Sequence, residues 1–200
     1  MGMIKRWPVT ARLASDKRAH VMREIVETLL FVGLVFLIVQ FAIRPVRVVD
    51  SSMEPNLHAD QLLIVNRAAY LFSGPSRGDV VVYYSPQNTS VELIGRVIAV
   101  PGDTIAVSIS TVTVNGVTLN ETYVQSAVGG QVNEGVVPAT KLGSDMYFVM
   151  FDNRQYSNND SRSFGPLPRQ NIVGRAVLVF WPLNQLGGVS NYSDVFQNVH

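Results

Sequence analysis

The chain has 200 residues, enough for one domain with a substantial core, and its formal net charge of +1 gives no case for nucleic-acid binding. Because it contains no cysteine, disulfide bonds and cysteine-based metal sites are excluded. The histidines, His20, His58 and His200, are too far apart in sequence to form a metal-binding motif, so neither a metal nor another cofactor is expected.

The N-terminal region has the pattern of a membrane anchor. Residues 1–24 are rich in lysine and arginine, whereas residues 25–43 are apolar except for Glu27, Thr28 and Gln40. As a helix, the apolar segment would be about 28 Å long, close to the thickness of a bilayer's hydrocarbon core. No small-x-small cleavage site follows it. We therefore predict a mobile basic tail and then a single uncleaved transmembrane helix over residues 25–43.

The distribution of charge predicts the orientation of this anchor. The basic flank precedes the span, which favours an N-terminus in the cytoplasm. Arg44 and Arg47 on the other side weaken this asymmetry without reversing it. The chain is therefore expected in the lipid of the cytoplasmic membrane, with everything from residue 44 outside it.

The remainder predicts one mostly-β domain over residues 44–183, followed by a loose polar tail over 184–200. Asn115-Gly116 between two β-branched runs is the strongest local signal, because this pair favours a tight hairpin turn. Residues 125–145 lack periodicity and are expected to form an extended loop. The predicted strands lie within residues 60–66, 80–84, 94–100, 105–109, 112–119, 146–151 and 172–181.

The segment directly after the anchor, residues 49–57 (VDSSMEPNL), contains a candidate nucleophile. Ser52 lies on a short turn in which Pro55 fixes φ and prevents a helix from continuing. A serine of this kind is also common in ordinary loops, so this segment alone does not decide its role.

Four sequence blocks in a fixed order indicate the role of Ser52. They are residues 52–57 (SMEPNL), 77–82 (RGDVVV), 96–103 (RVIAVPGD) and 152–165 (DNRQYSNNDSRSFG). Following a membrane anchor, they resemble the bacterial type I signal peptidase family over residues 23–183. The resemblance implies a coiled antiparallel β-sheet fold on a single N-terminal transmembrane helix. It also implies a serine endopeptidase that removes signal peptides from exported preproteins at the outer membrane surface.

The resemblance also implies a role for individual residues. Ser52 corresponds to the nucleophile, and Met53 corresponds to a residue that lines the pocket for the small side chain before the cut. Ile94 corresponds to a wall of the groove in which the substrate lies extended. Ser157, Asp160 and Arg162 correspond to residues that support the active site. Asp152 and Arg154 correspond to a structural ion pair beneath it. Independently of the family, these alternating charges can hold an irregular loop through charge-assisted hydrogen bonds.

One departure from the family falls on the catalytic base. The lysine that takes the serine's proton in the family corresponds to Gly95, which has no side chain. Arg96 stays protonated and cannot replace it. Lys141 and His58 are the substitutes that the sequence offers: Lys141 would have to fold back from a distant loop, whereas His58 lies six residues from Ser52 in the same segment and would have to reach back.

Two further departures lie close by. Asp50 stands where the family often has glycine or serine, and a carboxylate there would oppose a developing oxyanion. An alternative alignment with a one-residue deletion would make Asp50 harmless. Phe151 stands where the family has glycine, which alters the packing around the missing base.

Two hypotheses from different classes remain open. The first is a signal peptidase I whose hydrolysis is poor because its base is weak or relocated. The second is a catalytically inactive homologue that binds exported proteins as an assembly factor. Gly95, Asp50 and Phe151 favour the second, and the retained Ser52 favours the first. A soluble self-cleaving repressor of the related serine–lysine type is excluded by the anchor and by the absent lysine.

Overall fold

The computed structural model of the chain describes residues 9–124, 135–156 and 159–200. It divides into two compact units, of which one ends at Ala42 and the other comprises Ile43–His200. The first unit is helical and the second consists mainly of β-strands.

The first unit contains the helix α1, Val9–Ala42. Within it, His20–Ala42 has a mean hydropathy of 2.4 and is the one helical segment in the described residues that is long and apolar enough to cross a membrane. The helix begins inside the segment that was expected to be a mobile tail. It ends one residue earlier than predicted, because Ile43 already pairs in a sheet and Pro45 cannot continue a helix.

The second unit confirms the mostly-β, antiparallel prediction. Every strand pairing recorded in it is antiparallel. A single turn of helix, α2 at Ser161–Phe164, follows the ninth strand. In chain order the strands are β1 Ile43–Arg47, β2 Leu62–Asn66, β3 Val80–Tyr84, β4 Glu92–Ala99, β5 Thr104–Val107, β6 Val112–Val114, β7 Val117–Thr118, β8 Val137–Lys141, β9 Met146–Met150, β10 Leu167–Pro168, β11 Ile172–Trp181 and β12 Gly187–Gly188.

The strands of the described residues form two sheets. The larger has the order β1-β2-β11-β3-β4-β9-β10 with β12 added to β11, and the smaller has the order β7-β6-β5-β8. Register shifts interrupt β11 at several points and β4 after Val97. Bulges of this kind bend a strand and increase its twist, so the large sheet curls. As a result, Arg44 of β1 contacts Glu92 of β4, although these strands are not hydrogen-bonded neighbours.

Strand β4 contributes to two apolar cores. Val97 belongs to a core that also contains Val81 and Tyr83, whereas Ile98 belongs to a second core with Ile105. Successive side chains of a strand point to opposite faces, so one strand can supply both cores only if each face is covered. This explains why residues 93–99 are buried without alternation.

The hairpin predicted at Asn115-Gly116 is present. Both residues have positive φ, 52° and 79°, and they join β6 to β7. This combination is the one that a type I′ turn requires. Four strands were not predicted: β1, of which only Ile43 falls in the predicted anchor, β8, which lies in the expected loop, β10 and β12.

The C-terminal segment is not loose as predicted. Phe196 and Val199 are buried in the second core, and Tyr192 packs against Tyr123 with ring centroids 5.5 Å apart. Arg96 also donates a hydrogen bond to the carbonyl of Ser190 at 2.9 Å. The few apolar side chains of this mostly polar segment therefore anchor it to the domain.

Candidate active site

Ser52 lies in a tight turn between β1 and β2, with 4% of its surface exposed. The turn is closed by the amides of Asn56 and Leu57, which donate to the Met53 carbonyl at 3.0 and 2.9 Å. Asn153, after β9, donates from its backbone to the Ser52 carbonyl at 2.9 Å and from its side chain to the Ser51 carbonyl at 3.1 Å. The loop after β9 therefore fixes the position of the serine.

A cleft of about 190 Å³ opens beside Ser52. The serine and Ile94 both line it, so the structure brings these two predicted site residues together. Met53 is fully buried and belongs to the first core instead of the cleft wall. The lining residues are Arg44, Pro45, Val46, Arg47, Val48, Val49, Asp50, Ser52, Val82, Glu92, Leu93 and Ile94.

Gly95, where the resemblance places the base of the family, is packed against an aromatic ring. A Cβ atom added at Gly95 would lie 3.1 Å from Cε1 of Tyr83 and 3.4 Å from the Met150 carbonyl oxygen. Tyr83 is fully buried, and its hydroxyl donates to the carbonyl of Asn159 at 2.9 Å. Its ring also meets Phe164 edge to face, with centroids 6.3 Å apart. A side chain at position 95 would therefore require a ring that is held on several sides to move by a few tenths of an ångström.

Tyr83 was not identified from the sequence, and it cannot take over the role of the base. Burial, and then the carboxylates of Asp160 and Asp50, raise its pKa well above the usual value for a tyrosine. The phenol therefore stays protonated at neutral pH and cannot accept a proton from a serine. The sequence carries no signal for this contact, because it depends on the register Val81↔Gly95, which puts Tyr83 two residues further along β3 on the same face.

Asp50 accepts the hydrogen bond of a backbone amide that an oxyanion would need as its donor. Its Oδ1 accepts a hydrogen bond from the Ser52 backbone amide at 3.0 Å. In serine peptidases, the amide of the nucleophilic serine is one of the groups that stabilise the tetrahedral oxyanion. Here that amide is directed at a carboxylate that lines the same cleft.

Neither substitute base lines the cleft. Lys141 lies in β8 of the small sheet, where it pairs with Thr104 and is exposed. His58 is also exposed and lies 3.8 Å from Glu54, measured from Nδ1 to Oε1. In the part of the chain that the structure describes, the cleft therefore has no lysine or histidine in its wall.

The expected ion pair between Asp152 and Arg154 does not form, which corrects that prediction. Asp152 instead forms a bidentate pair with Arg96, with distances of 2.8 Å from Nε and 2.6 Å from Nη2, and both side chains are buried. Arg154 pairs with Glu121. The reason is sheet register: Arg96 lies opposite Met150, so its guanidinium reaches the loop that begins just after β9.

Asp160 and Arg162 do form an ion pair, 2.7 Å between Oδ2 and Nη2, with both side chains buried. Asp160 is also the N-cap of α2 and accepts from the Arg162 amide at 2.9 Å. Its second oxygen accepts from the amide of Phe151 at 3.1 Å, so it ties α2 to the end of β9. Ser157 lies outside the described residues.

The arrangement has a candidate nucleophile but, in the part of the chain that the structure describes, no lysine or histidine beside it in the cleft wall. A serine opens onto a cleft between two strands, but the cleft wall has no amine or imidazole and the serine amide already has a carboxylate partner. Among the described residues, no cluster of three or more histidine or acidic side chains is arranged to hold a metal ion.

Comparison with known proteins places the chain in a family. The profile described as "Signal peptidase, peptidase S26" matches residues 21–181. Signal peptidase I of Leptolyngbya laminosa is 42% identical over 145 residues, which are 69% of this chain and 68% of that protein. Probable signal peptidase I-1 of Synechocystis sp. is 36% identical over 176 residues, 84% and 87% of the two chains. The crystal structure of a signal peptidase I from Enterococcus faecalis, 28% identical, matches 52% of this chain and 97% of its own with a TM-score of 0.45. The chain therefore belongs to the signal peptidase family, peptidase S26, and its relatives support a signal peptidase I function.

Proposed function

We propose that this protein acts on the signal peptides of exported preproteins at the outer face of the cytoplasmic membrane, and that it hydrolyses them slowly. The observation that carries the proposal is that Ser52 lines the same cleft as Ile94, between β1 and β4. The N-terminus lies in the cytoplasm in this proposal, and α1 is the anchor.

The edges of the cleft suit an extended peptide. β1 is the last strand of the large sheet, so its outer edge has no strand partner among the described residues. The outer edge of β4 is also free over Glu92–Ile94, because the pairing with β9 begins only at Arg96. Two free strand edges facing one cleft provide backbone donors and acceptors for a peptide that binds as an added strand.

Hydrolysis would begin with attack of the Ser52 hydroxyl oxygen on the scissile carbonyl, and the serine proton would have to be accepted by a base. Loss of a general base costs roughly 10²- to 10⁴-fold in rate. Loss of one oxyanion donor costs roughly 10²- to 10³-fold. Gly95 and the Asp50–Ser52 hydrogen bond impose both penalties, which is why the proposed turnover is slow.

A second function, binding without cleavage, is favoured by the packing of Tyr83 over Gly95. A homologue of this kind would hold an exported protein in the cleft as an assembly factor. The cleft and its free strand edges serve both functions equally, so only turnover distinguishes them.

The test is to incubate the full chain in detergent with a preprotein and to follow signal-peptide release. Ser52→Ala is the control for the nucleophile, and Gly95→Lys combined with Tyr83→Leu supplies a base with room to fit. Slow release that Ser52→Ala abolishes is the expected result. No release by the chain, but release by the lysine variant, would indicate the binding function. No release and no binding of the preprotein by either chain would overturn the proposal.

The proposed orientation has its own test, which the absence of cysteine makes simple. Single cysteines are introduced as Gly2→Cys or Thr89→Cys, and intact cells are treated with a membrane-impermeant maleimide. We expect Thr89→Cys to be labelled at once and Gly2→Cys only after the membrane is broken. The reverse pattern would contradict the orientation.

A further inference from the structure

We infer that the ion pair between Arg44 and Glu92, named here the clasp, closes one end of the cleft and restricts which extended peptides it accepts. This inference rests on the proposed function, because it assumes that a peptide lies along β4. It assigns a selective role to two residues that the resemblance does not place in the active site.

The clasp is a link across the cleft between its two walls. Arg44 lies on β1 and Glu92 on β4, and both line the cleft. The guanidinium and the carboxylate form two hydrogen bonds, 2.6 Å from Nη1 to Oε1 and 3.2 Å from Nη2 to Oε2. Because β1 and β4 are not neighbours in the sheet, this contact spans the gap that an added strand would fill.

The clasp lies at the end of the cleft away from the serine. Arg44 is near the beginning of β1, whereas Ser52 follows the end of that strand. Glu92 precedes Ile94 by two residues, which is roughly 7 Å along an extended strand. A peptide that follows β4 away from the serine therefore reaches the clasp about two residues beyond Ile94, and a longer peptide has to open it.

In this inference the clasp is strong enough to weaken the binding of longer peptides and weak enough for such a peptide to break it. Its side chains are 42% and 22% exposed, so the pair is only partly screened by water. Its two-pronged geometry makes it stronger than a typical surface pair. A matched pair on the same strand, Arg47–Asp60, is 64% and 75% exposed and does not link β1 to β4. Because Arg47 also lines the cleft, Arg47→Gln is a control that removes one cleft arginine without breaking the clasp.

The test uses the full chain in detergent with Ser52→Ala, so that no peptide is cleaved, and measures binding by fluorescence anisotropy. Three labelled synthetic peptides share a central Ala-Gln-Ala segment, the kind of small-x-small sequence found at cleavage sites. The first carries only short flanks, the second is extended by six serine and threonine residues at its N-terminus, and the third at its C-terminus. Each is bound to the parent chain and to Arg44→Gln, Glu92→Gln and Arg47→Gln.

We expect one of the two extended peptides to bind the parent chain more weakly than the short peptide, by roughly threefold to tenfold. Arg44→Gln and Glu92→Gln should each remove that difference, whereas Arg47→Gln should keep it. Arg44→Glu together with Glu92→Arg rebuilds the pair and should restore the difference, which shows that a variant has not simply unfolded. Equal binding of all three peptides to the parent chain, or a difference that survives in both clasp variants, overturns the inference. Failure of every peptide to bind would overturn the proposed function as well.

Discussion

Two regions next to Ser52 differ in whether they contain the groups that their roles require. Beneath the serine lies the support, defined here as Arg96, Asp152, Asp160 and Arg162, in which two buried ion pairs and an N-cap hold the loop after β9. Beside it lies the catalytic face, defined here as Asp50, Ser52, Tyr83 and Gly95, of which Asp50 and Ser52 line the cleft. The serine amide has a carboxylate partner, and among the described residues no lysine or histidine lines the cleft. The support is therefore built from paired charges, whereas no lysine or histidine is found among the described residues that line the cleft.

The physical reason is that the two regions depend on different properties. The support consists of buried charges, which must be paired because an isolated buried charge is costly. The catalytic face needs one side chain with a suitable pKa and one free amide, and neither contributes to folding. Each prediction below separates the two regions, beginning with the largest expected effect.

The largest loss in the free energy of unfolding is expected when an ion pair of the support is broken. Arg96→Met would leave Asp152 buried without its ionic partner and would also remove the hydrogen bonds to the carbonyls of Gly78 and Ser190. We expect a loss of about 3–5 kcal/mol in the free energy of unfolding, measured by urea denaturation. Arg47→Met, which breaks the exposed pair with Asp60, should cost less than about 1 kcal/mol. Equal losses for the two variants would show that the support does not stabilise the fold.

The next largest loss of stability is expected at Gly95 in the catalytic face. Gly95→Ala should destabilise the fold by about 1–3 kcal/mol, because the new methyl group crowds the ring of Tyr83. In a Tyr83→Leu background the same change should cost less, so a double-mutant cycle should give a clear interaction energy. Additive losses would mean that Tyr83 does not occupy the space of the missing side chain.

A smaller effect is expected at the contact between the C-terminal segment and the serine turn. The Tyr192 hydroxyl donates to Oδ1 of Asn56 at 2.7 Å, and the side-chain amide of Asn56 donates to Oδ2 of Asp152 at 2.9 Å. Tyr192→Phe removes one hydrogen bond and should reduce the free energy of unfolding by about 1 kcal/mol. A matched Tyr156→Phe, at an exposed position, should change it by less than about 0.5 kcal/mol.

The smallest effect is expected in the pH dependence of the unfolding free energy, through Asp103, which lies outside both regions. Burial acts to raise the pKa of Asp103, but hydrogen bonds from Arg77, the Val100 amide and Asn115 outweigh it and lower that pKa overall. A lowered folded-state pKa stabilises the fold above the unfolded-state value, and this contribution disappears as the pH falls through the folded-state value. Arg77→Gln should therefore reduce the difference in unfolding free energy between neutral and acidic pH. An unchanged pH dependence in that variant would contradict this assignment.

Local patterns predicted much of this molecule. The hairpin at Asn115-Gly116 follows from the φ values that the two residues tolerate, and the apolar helix follows from its length and composition. The position of Ser52 followed from a resemblance in four blocks, and the structure places it in a cleft with Ile94.

The errors concern contacts that only the folded sheet creates. Arg96 was not expected as the partner of Asp152, since that pair depends on the register between β4 and β9. The crowding of Gly95 by Tyr83 depends in the same way on the register between β3 and β4. Strand β8 lies in a segment without periodicity, so its pairing with β5 had no sequence signal.

The most direct test of the central claim is the rate of signal-peptide release by four chains. They are the chain as it stands, Asp50→Ser, Gly95→Lys with Tyr83→Leu, and all three substitutions together, each with a Ser52→Ala control. If the catalytic face lacks only its base and a free oxyanion donor, the combined variant should cleave at least about 10²-fold faster than the chain as it stands. Cleavage by the unaltered chain at the same serine-dependent rate as the combined variant would contradict the account.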